Sequence, residues 1–195
     1  MNRKEKKRVT RERIISTAIR LFSQKGYEST TVSLIAQEAG VSKGTFFNYF
    51  KTKEDVLHEY ENDALLLEFE MVTKQPGPMT PRIMAGIVSL LTRMNYTRAL
   101  CRSFFQAAMI KPHYLEENKE RMRGIRGMLT PLFAIGQERG EYSKKMPAEM
   151  LADAMIRTYQ GLLINWAMGG GDDNLIVQAM VTFELFFSGI TLTSS

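Results

Sequence analysis

Apolar residues recur at every third or fourth position through most of this 195-residue chain. That spacing is typical of amphipathic helices, and no segment alternates apolar and polar residues as a half-buried strand would. One helical stripe runs from about Thr10 to Lys25 and ends at Gly26, and another helix begins near Lys53. The pattern therefore predicts an all-α protein.

Two short helices joined by a tight turn are predicted between residues 30 and 53. Thr31 is suited to cap the first helix, and Gly40 ends it because glycine adopts a left-handed backbone without a steric penalty. Ser42 is suited to cap the second helix, on which Phe46 and Phe50 stand four residues apart and so share the inward face. With the preceding stripe, this predicts a three-helix domain with a helix-turn-helix of the kind that enters a DNA major groove.

The remainder of the chain also has a helical pattern. A proline-rich linker covers residues 75–81, where Thr80 followed by Pro81 is a typical helix start. Pro131 is expected to kink or break a later helix. The last two helices are predicted at 147–168 and 173–191, and the GGGDD segment between them is either a phosphate or metal loop or a connection in which Asp172 or Asp173 caps the next helix.

These elements divide the chain into two predicted domains. Residues 1–53 form the predicted DNA-binding domain with its basic arm, and residues 54–195 form a larger, second helical domain. No 18-residue apolar run is present, so we expect no membrane span.

The basic charge is concentrated at the N-terminus. The chain has 26 Lys and Arg against 21 Asp and Glu, a formal +5, and residues 1–13 alone hold seven basic and two acidic side chains, also +5. Such a run is often only a solvated tail, and it lacks the apolar face that a membrane-surface helix requires. Beside a helix-turn-helix, we expect it to reach a minor groove or the DNA backbone and to supply salt-sensitive affinity.

Residues 11–57 resemble the N-terminal domain of the TetR-type (tetracycline-repressor-like, TetR/AcrR) transcriptional regulators. The matching positions form a dense set, namely Ile14, Ala18, Leu21-Phe22, Gly26-Tyr27, Thr30-Thr31, Ile35-Ala36, Ala39-Gly40-Val41, Gly44-Thr45, Tyr49-Phe50 and Lys53-Glu54. The resemblance covers about a quarter of the chain and says nothing about a ligand.

The resemblance implies roles for individual residues. Base edges would be read by Lys43, Thr45 and Asn48, with Ser33 a weaker candidate. Lysine can donate to guanine, asparagine can pair with adenine, and the threonine methyl can contact thymine. Gly44 would allow close backbone approach, and the phosphates would be held by Thr31, Ser42, Tyr49 and Lys53.

Position 47 departs from the family pattern. It is usually tyrosine, whose hydroxyl bonds a phosphate, and Phe47 keeps the ring without that donor. Without the family register, these lysines would be ordinary surface lysines, and both Phe47 and Tyr49 could be packed core aromatics.

The last two helices are more apolar than one core face requires. A second copy of the chain would cover the excess, and the resemblance also implies a homodimer, which would read a palindromic operator on double-stranded DNA. The predicted interface consists of Met155, Tyr159, Leu162, Leu175, Ala179, Phe183, Phe186 and Phe187.

The central helices are rich in methionine and aromatic residues. Such side chains can line an adaptable pocket, although a stripe at helical spacing is more often ordinary core. The resemblance implies a small effector, for which an apolar or aromatic compound is the natural class. The predicted lining is Met84, Ile87, Leu91, Tyr96, Phe104, Phe105, Met109, Met128, Leu132, Phe133, Tyr159, Leu163 and Trp166.

The sequence gives little support for catalysis or metal binding. Two histidines and one cysteine, Cys101, form no nucleophile, zinc or phosphate-loop motif, so we expect no cofactor, no metal and no enzymatic activity. A single cysteine and the absence of an apolar leader favour a cytoplasmic protein. The alternatives left open are an effector-independent DNA-binding dimer with a nucleoid or structural role and a small helical enzyme.

Overall fold

The structure is a computed structural model that describes residues 2–102, 105, 112–169 and 174–191. Every regular element in the described residues is a helix, apart from one isolated bridge between Tyr142 and Thr191, which confirms the all-α prediction. The chain forms two compact units, Met1–Ala64 and Leu65–Ser195. No helix among the described residues has the length and apolarity needed to cross a membrane.

The first unit is built from α1 (Arg3–Lys25), α2 (Val32–Glu38), α3 (Lys43–Phe47) and the first part of α4 (Lys53–Lys74). Its core side chains come from all four helices because each helix buries one apolar face. The fully buried members include Ile14 and Ala18 of α1, Ile35 of α2, Phe46 of α3 and Val56 of α4.

The first helix starts earlier than the sequence pattern predicted. It begins at Arg3 rather than near Thr10, with the Asn2 side chain accepting a hydrogen bond from the Lys4 amide at 3.2 Å. Lysine and arginine have good helix propensity, so once the apolar part of α1 is packed the helix can extend through the basic residues. The expected basic arm is therefore a helical extension of α1.

The second unit contains the end of α4, α5 (Met79–Met94), α6 (described at residues 98–102), α7 (Pro112–Glu138), α8 (Ala148–Ala167) and α9 (Leu175–Ser188). Its core lies between α5, α7, α8 and α9. The largest side chains with no exposed surface there are Phe133, Tyr142 and Phe183, and Met79 is buried with them.

Two helix features in this unit, at Pro131 and at the start of α9, differ from the predictions. Pro131 lies inside α7 instead of breaking it, because Leu132 and Phe133 beside it are buried in the core and their packing outweighs the proline penalty of about 3 kcal/mol. The α9 N-cap is Asn174, whose side chain accepts from the Ile176 and Val177 amides. Asp172 and Asp173 lie outside the described residues.

The start of α5 is stabilised by a distant residue. The helix begins at Met79, before the predicted Thr80–Pro81 start, and its Pro78 cap makes no side-chain hydrogen bond. The Glu141 carboxylate instead accepts from the Met79 amide at 2.5 Å. The Thr80 hydroxyl is used differently, since it donates to the Tyr142 hydroxyl at 3.0 Å.

Candidate nucleic-acid interface

The helix-turn-helix forms because its caps and turn satisfy the free backbone groups. The Thr31 hydroxyl accepts from the Leu34 amide at 3.2 Å and so caps α2, as predicted. Gly40 then turns the chain with a φ of +63°, a conformation that favours glycine. The Ser42 hydroxyl accepts from the Thr45 amide at 3.0 Å and caps α3.

The aromatic residues of α3 anchor it from beneath. Phe46 has no exposed surface and Phe50 is 5% exposed, with their ring centroids 5.9 Å apart. Phe47 is 53% exposed, and its ring meets that of Phe46 edge-on with the centroids 5.6 Å apart. Phe47 is therefore not a core aromatic, and its ring is available to a partner.

The outward residues of α3 present hydrogen-bonding groups to solvent. Lys43, Gly44 and Asn48 are exposed, whereas Thr45 and Tyr49 are half-buried. The Thr45 hydroxyl lies 2.9 Å from the Ser42 hydroxyl, so these two side chains support each other. The predicted base-reading residues thus share one short exposed segment, and Ser33 is exposed on α2.

Lys53 is bonded inside the protein rather than free on its surface. Its ammonium donates to the Tyr27 carbonyl at 2.7 Å and the Thr30 carbonyl at 3.1 Å, and it lies 4.1 Å from the centroid of the Tyr27 ring. The lysine therefore ties the start of α4 to the connection before α2. Because an ammonium has three N–H groups, only one is left for the predicted phosphate contact.

The N-terminus of α4 is also occupied by a carboxylate. Asp55 accepts from the amides of Lys51 and Thr52, both at 2.9 Å, and the Thr52 hydroxyl accepts from the Asp55 amide at 3.2 Å. Thr52 therefore caps α4. A helix N-terminus beside a lysine can attract a phosphate, but here an acidic side chain of this chain caps it.

The basic extension of α1 divides into exposed and structural residues. Arg3, Lys4, Lys6 and Lys7 are exposed. Arg11, in contrast, pairs with Glu59 of α4, and its guanidinium lies 5.6 Å from the Phe50 ring centroid. The free positive charge is therefore concentrated in the first two turns of the helix.

Lys51 is a candidate phosphate contact that the sequence patterns did not predict. It is exposed between α3 and α4, and its side chain forms no ion pair with a described residue. Its amide is bonded to Asp55, so the backbone is fixed while the ammonium faces solvent. Its position two residues before Lys53 was the only signal available.

Most of the predicted effector-pocket residues are packed together in the core of the second unit. Met128 is half-buried on α7, while Phe104 and Met109 lie outside the described residues. Ile87, Leu91, Leu132, Phe133, Leu163 and Trp166 are buried, and Met84, Tyr96, Phe105 and Tyr159 pack against them.

An open pocket of 410 Å³ lies elsewhere, between α5 and α9. Of the predicted lining residues that the structure describes, only Met84 borders it, and the other residues around it are Thr80, Met180, Glu184, Phe187, Ser188 and Thr191. Apart from Met84, the described part of the predicted lining therefore lies away from this pocket.

The predicted dimer interface needs correction in its details. Phe183 and Phe187 are 0% and 2% exposed within a single protomer, so they have no surface to offer a second copy. Met155, Leu162, Leu175 and Ala179 are buried as well, and Tyr159 and Phe186 are half-buried. The exposed apolar side chains of α8 and α9 are instead Met150, Val177, Met180, Val181 and Leu185.

The polar groups that this site exposes are hydrogen-bonding groups. No group of three or more His, Cys, Asp or Glu residues in the described part of the chain could hold a metal ion. The exposed groups on α3 are a lysine, an asparagine and hydroxyls, which are hydrogen-bonding groups that suit base edges and phosphates.

Comparison with known proteins matches this chain to transcriptional regulators. Residues 14–60 match the family of bacterial regulatory proteins, tetR family. An uncharacterized HTH-type transcriptional regulator, YerO of Bacillus subtilis, is 55% identical over 47 residues, which are 24% of this chain and 16% of that protein. HTH-type transcriptional regulator AcrR of Shigella flexneri is 27% identical over 175 residues, covering 84% of this chain and 80% of AcrR.

A solved structure is similar over almost the whole chain. FadR of Thermus thermophilus, a TetR-family transcriptional repressor in complex with lauroyl-CoA, has a TM-score of 0.73 and 24% identity and covers 95% of this chain and 97% of its own. At that level of identity the match establishes the shared fold, including that of the C-terminal helices.

Proposed function

Because this chain belongs to the TetR/AcrR-type transcriptional regulators, which bind DNA, we propose that it is a cytoplasmic, homodimeric repressor of a palindromic operator. We further propose that a small apolar or aromatic effector releases it from DNA. The single observation that carries this proposal is α3, where a buried Phe46 presents Lys43 and Asn48 outward on a firmly capped helix.

We assign DNA reading to the exposed side chains of α3. Lys43, Thr45 and Asn48 would contact base edges, with Ser33 contributing from α2. Thr31, Ser42 and Tyr49 would hold phosphates, joined by Lys51 and by the exposed residues of the α1 extension. Lys53 would mainly fix the reading unit and give a phosphate its one remaining N–H.

The homodimer is supported by the outward faces of α8 and α9. Leu185 is 70% exposed, and Met150 and Val181 are each 55% exposed. Adjacent exposed apolar side chains on two packed helices are typical of an interface. A second copy is the partner that a palindrome requires, because a two-fold operator needs two reading helices about one DNA turn apart.

The effector site is proposed in the core of the second unit. Its methionines and aromatic rings can repack around an apolar guest, which would adapt this buried cluster to the guest. A long acyl thioester is the first effector to test, because lauroyl-CoA is bound by the structurally similar repressor FadR. If the effector and the operator prefer different spacings of the two α3 helices in the dimer, effector binding weakens DNA binding and DNA weakens effector binding equally.

The test begins with DNA selected from a random pool by the purified full-length chain. The selected sites should share a two-fold symmetric sequence, and titrating lauroyl-CoA or an aromatic compound should release the protein from them. A chain that binds every sequence equally and ignores both compounds would instead be an effector-independent nucleoid protein.

The basic extension of α1 is tested by the double variant Lys6→Ala/Lys7→Ala. It should lower the salt slope of the DNA affinity by about one to two without changing the preferred sequence. Lys144→Ala/Lys145→Ala is its matched control.

A further inference from the structure

The outward faces of α8 and α9 carry few charges, and two of these are complementary. Glu184 is the only charged residue in α9, and Arg157 is the only basic residue in α8. The Arg157 side chain is 76% exposed, and Glu184 is exposed as well. A partner that covers these faces must therefore accommodate one positive and one negative charge.

Neither charge has a strong partner among the described residues of its own protomer. The nearest carboxylate to Arg157 is Asp153, at 4.0 Å, and Asp153 also lies 3.6 Å from Arg126. Glu184 forms no hydrogen bond or ion pair with any residue in the described part of the chain. Covering both without pairing them would cost desolvation free energy.

The two charges lie at the same level of the α8–α9 pair. These helices pack against each other and are joined by a short connection, so they run in opposite directions. Arg157 lies ten residues before the last residue of α8, and Glu184 lies nine residues after the first residue of α9. At 1.5 Å per residue, both are about 14–15 Å from the ends joined by the connection.

The neighbours of the two charges indicate opposite outer edges of this two-helix layer. Asp153, one turn before Arg157, meets Arg126 of α7, so this side of α8 faces the α7 edge. Glu184 borders the pocket together with Met84, so this side of α9 faces the α5 edge. A two-fold axis parallel to the helices would stack α8 of one copy on α9 of the other and bring these two edges together at the same level.

We propose that Arg157 forms an ion pair with Glu184 of the partner subunit, twice in each homodimer, and that this pair selects the packing of α8 on the partner's α9. The inference rests on the proposed homodimer and adds its register and orientation. Packing α8 on the partner's α8 would instead place Arg157 opposite a second Arg157, which like-charge repulsion disfavours.

The experiment is a charge exchange in the full-length chain. Sedimentation equilibrium is measured for the wild type, Arg157→Glu, Glu184→Arg and the double variant, with circular dichroism to check folding. Each single reversal should raise the dimer dissociation constant by about 10- to 100-fold, because two rim pairs are lost and two repulsions appear. The dissociation constant of the double variant should return to within about threefold of the wild-type value.

Matched reversals outside the two helices, Lys145→Glu and Glu138→Arg, control for net charge and should leave the dissociation constant unchanged. The neutral variants Arg157→Gln and Glu184→Gln form a second cycle that avoids repulsion, and their effects should be less than additive. Additive effects without rescue would overturn the ion pair while leaving the homodimer intact. A wild type that stays monomeric at high micromolar concentration would overturn the homodimer itself, and the pair with it.

Discussion

Lys43 and Lys53, at the starts of α3 and α4, have different surroundings. Lys43 is exposed at the first position of α3, whereas the Lys53 ammonium is bonded to two carbonyls and an aromatic ring. A residue type alone does not distinguish them, since both are lysines beside a helix start. Their roles separate only when stability and DNA binding are measured on the same variants.

Lys53→Ala should lower the free energy of unfolding by about 1.5–3 kcal/mol, because it removes a charged donor from two carbonyls. Lys43→Ala should leave stability unchanged and relax the preference at one base pair by about 1–3 kcal/mol. Urea denaturation, hydrogen exchange over residues 14–57 and DNA titration measure both effects, with Lys51→Ala as the exposed control for stability. Equal stability of Lys53→Ala and Lys51→Ala would contradict the structural role of Lys53.

Phe47 offers a second test at the scale of one residue. Because its ring is 53% exposed, a hydroxyl can be added without crowding the core. Phe47→Tyr should strengthen binding to every sequence by about 0.5–1.5 kcal/mol through a new phosphate hydrogen bond. Titration of matched and mismatched sites checks this, and weaker binding would show that the ring makes an apolar contact with DNA.

At the scale of the element, local signals in the sequence predicted the helices and several of their ends. Thr31, Gly40 and Ser42 act within a few residues of their own position, so their roles could be read from the chain. The cap of α5 by Glu141 could not, because the two groups are 62 residues apart. The bonding of Lys53 was missed for the same reason.

In the candidate site too, local features could be predicted and contacts between distant residues could not. The residues that face solvent on α3 were predicted from spacing and family resemblance. Which exposed side chains of α8 and α9 remain free depends on how both helices rotate against α5 and α7, and helical periodicity alone could not separate buried Phe183 from exposed Leu185. Packing decided that question.

Tyr142 makes the packing of the second unit sensitive to alkaline pH. Burial raises the pKa of its phenol from 10.0 to about 12, against a smaller opposing effect of the Thr80 hydrogen bond. The folded state thus holds the proton more tightly, and its full stability is present below pH 10. As the pH rises from about 10 to 12, the wild type should lose about 2–3 kcal/mol of stability that Tyr142→Phe does not lose. Urea denaturation of both proteins across this range measures the difference, and parallel pH profiles would contradict it.

At the scale of the whole molecule, the predicted interface moves from buried phenylalanines to exposed aliphatic residues. Leu185→Lys should dissociate the homodimer, since each lost leucine contact is worth about 2–3 kcal/mol, while the protomer stays folded. Phe183→Lys should unfold the second unit instead, because it would bury a charge. Sedimentation, circular dichroism and palindrome titration separate these outcomes, with Met146→Lys as an exposed control outside both helices. A monomeric Leu185→Lys variant that binds the full site with wild-type affinity would exclude the link between dimer geometry and operator recognition.

The contact between Glu141 and the start of α5 also bears on the order of folding during synthesis. The first unit closes through pairs such as Lys53 and Tyr27, which are 26 residues apart, whereas the second needs Glu141 on Met79 and finally Thr191 beside Tyr142. Local contacts form sooner than distant ones, and domains fold as units while the chain emerges. We therefore expect the first unit to be folded on the ribosome well before the proposed dimer surface exists, so that a nascent chain would present α3 before it could bind a two-fold symmetric site as a dimer.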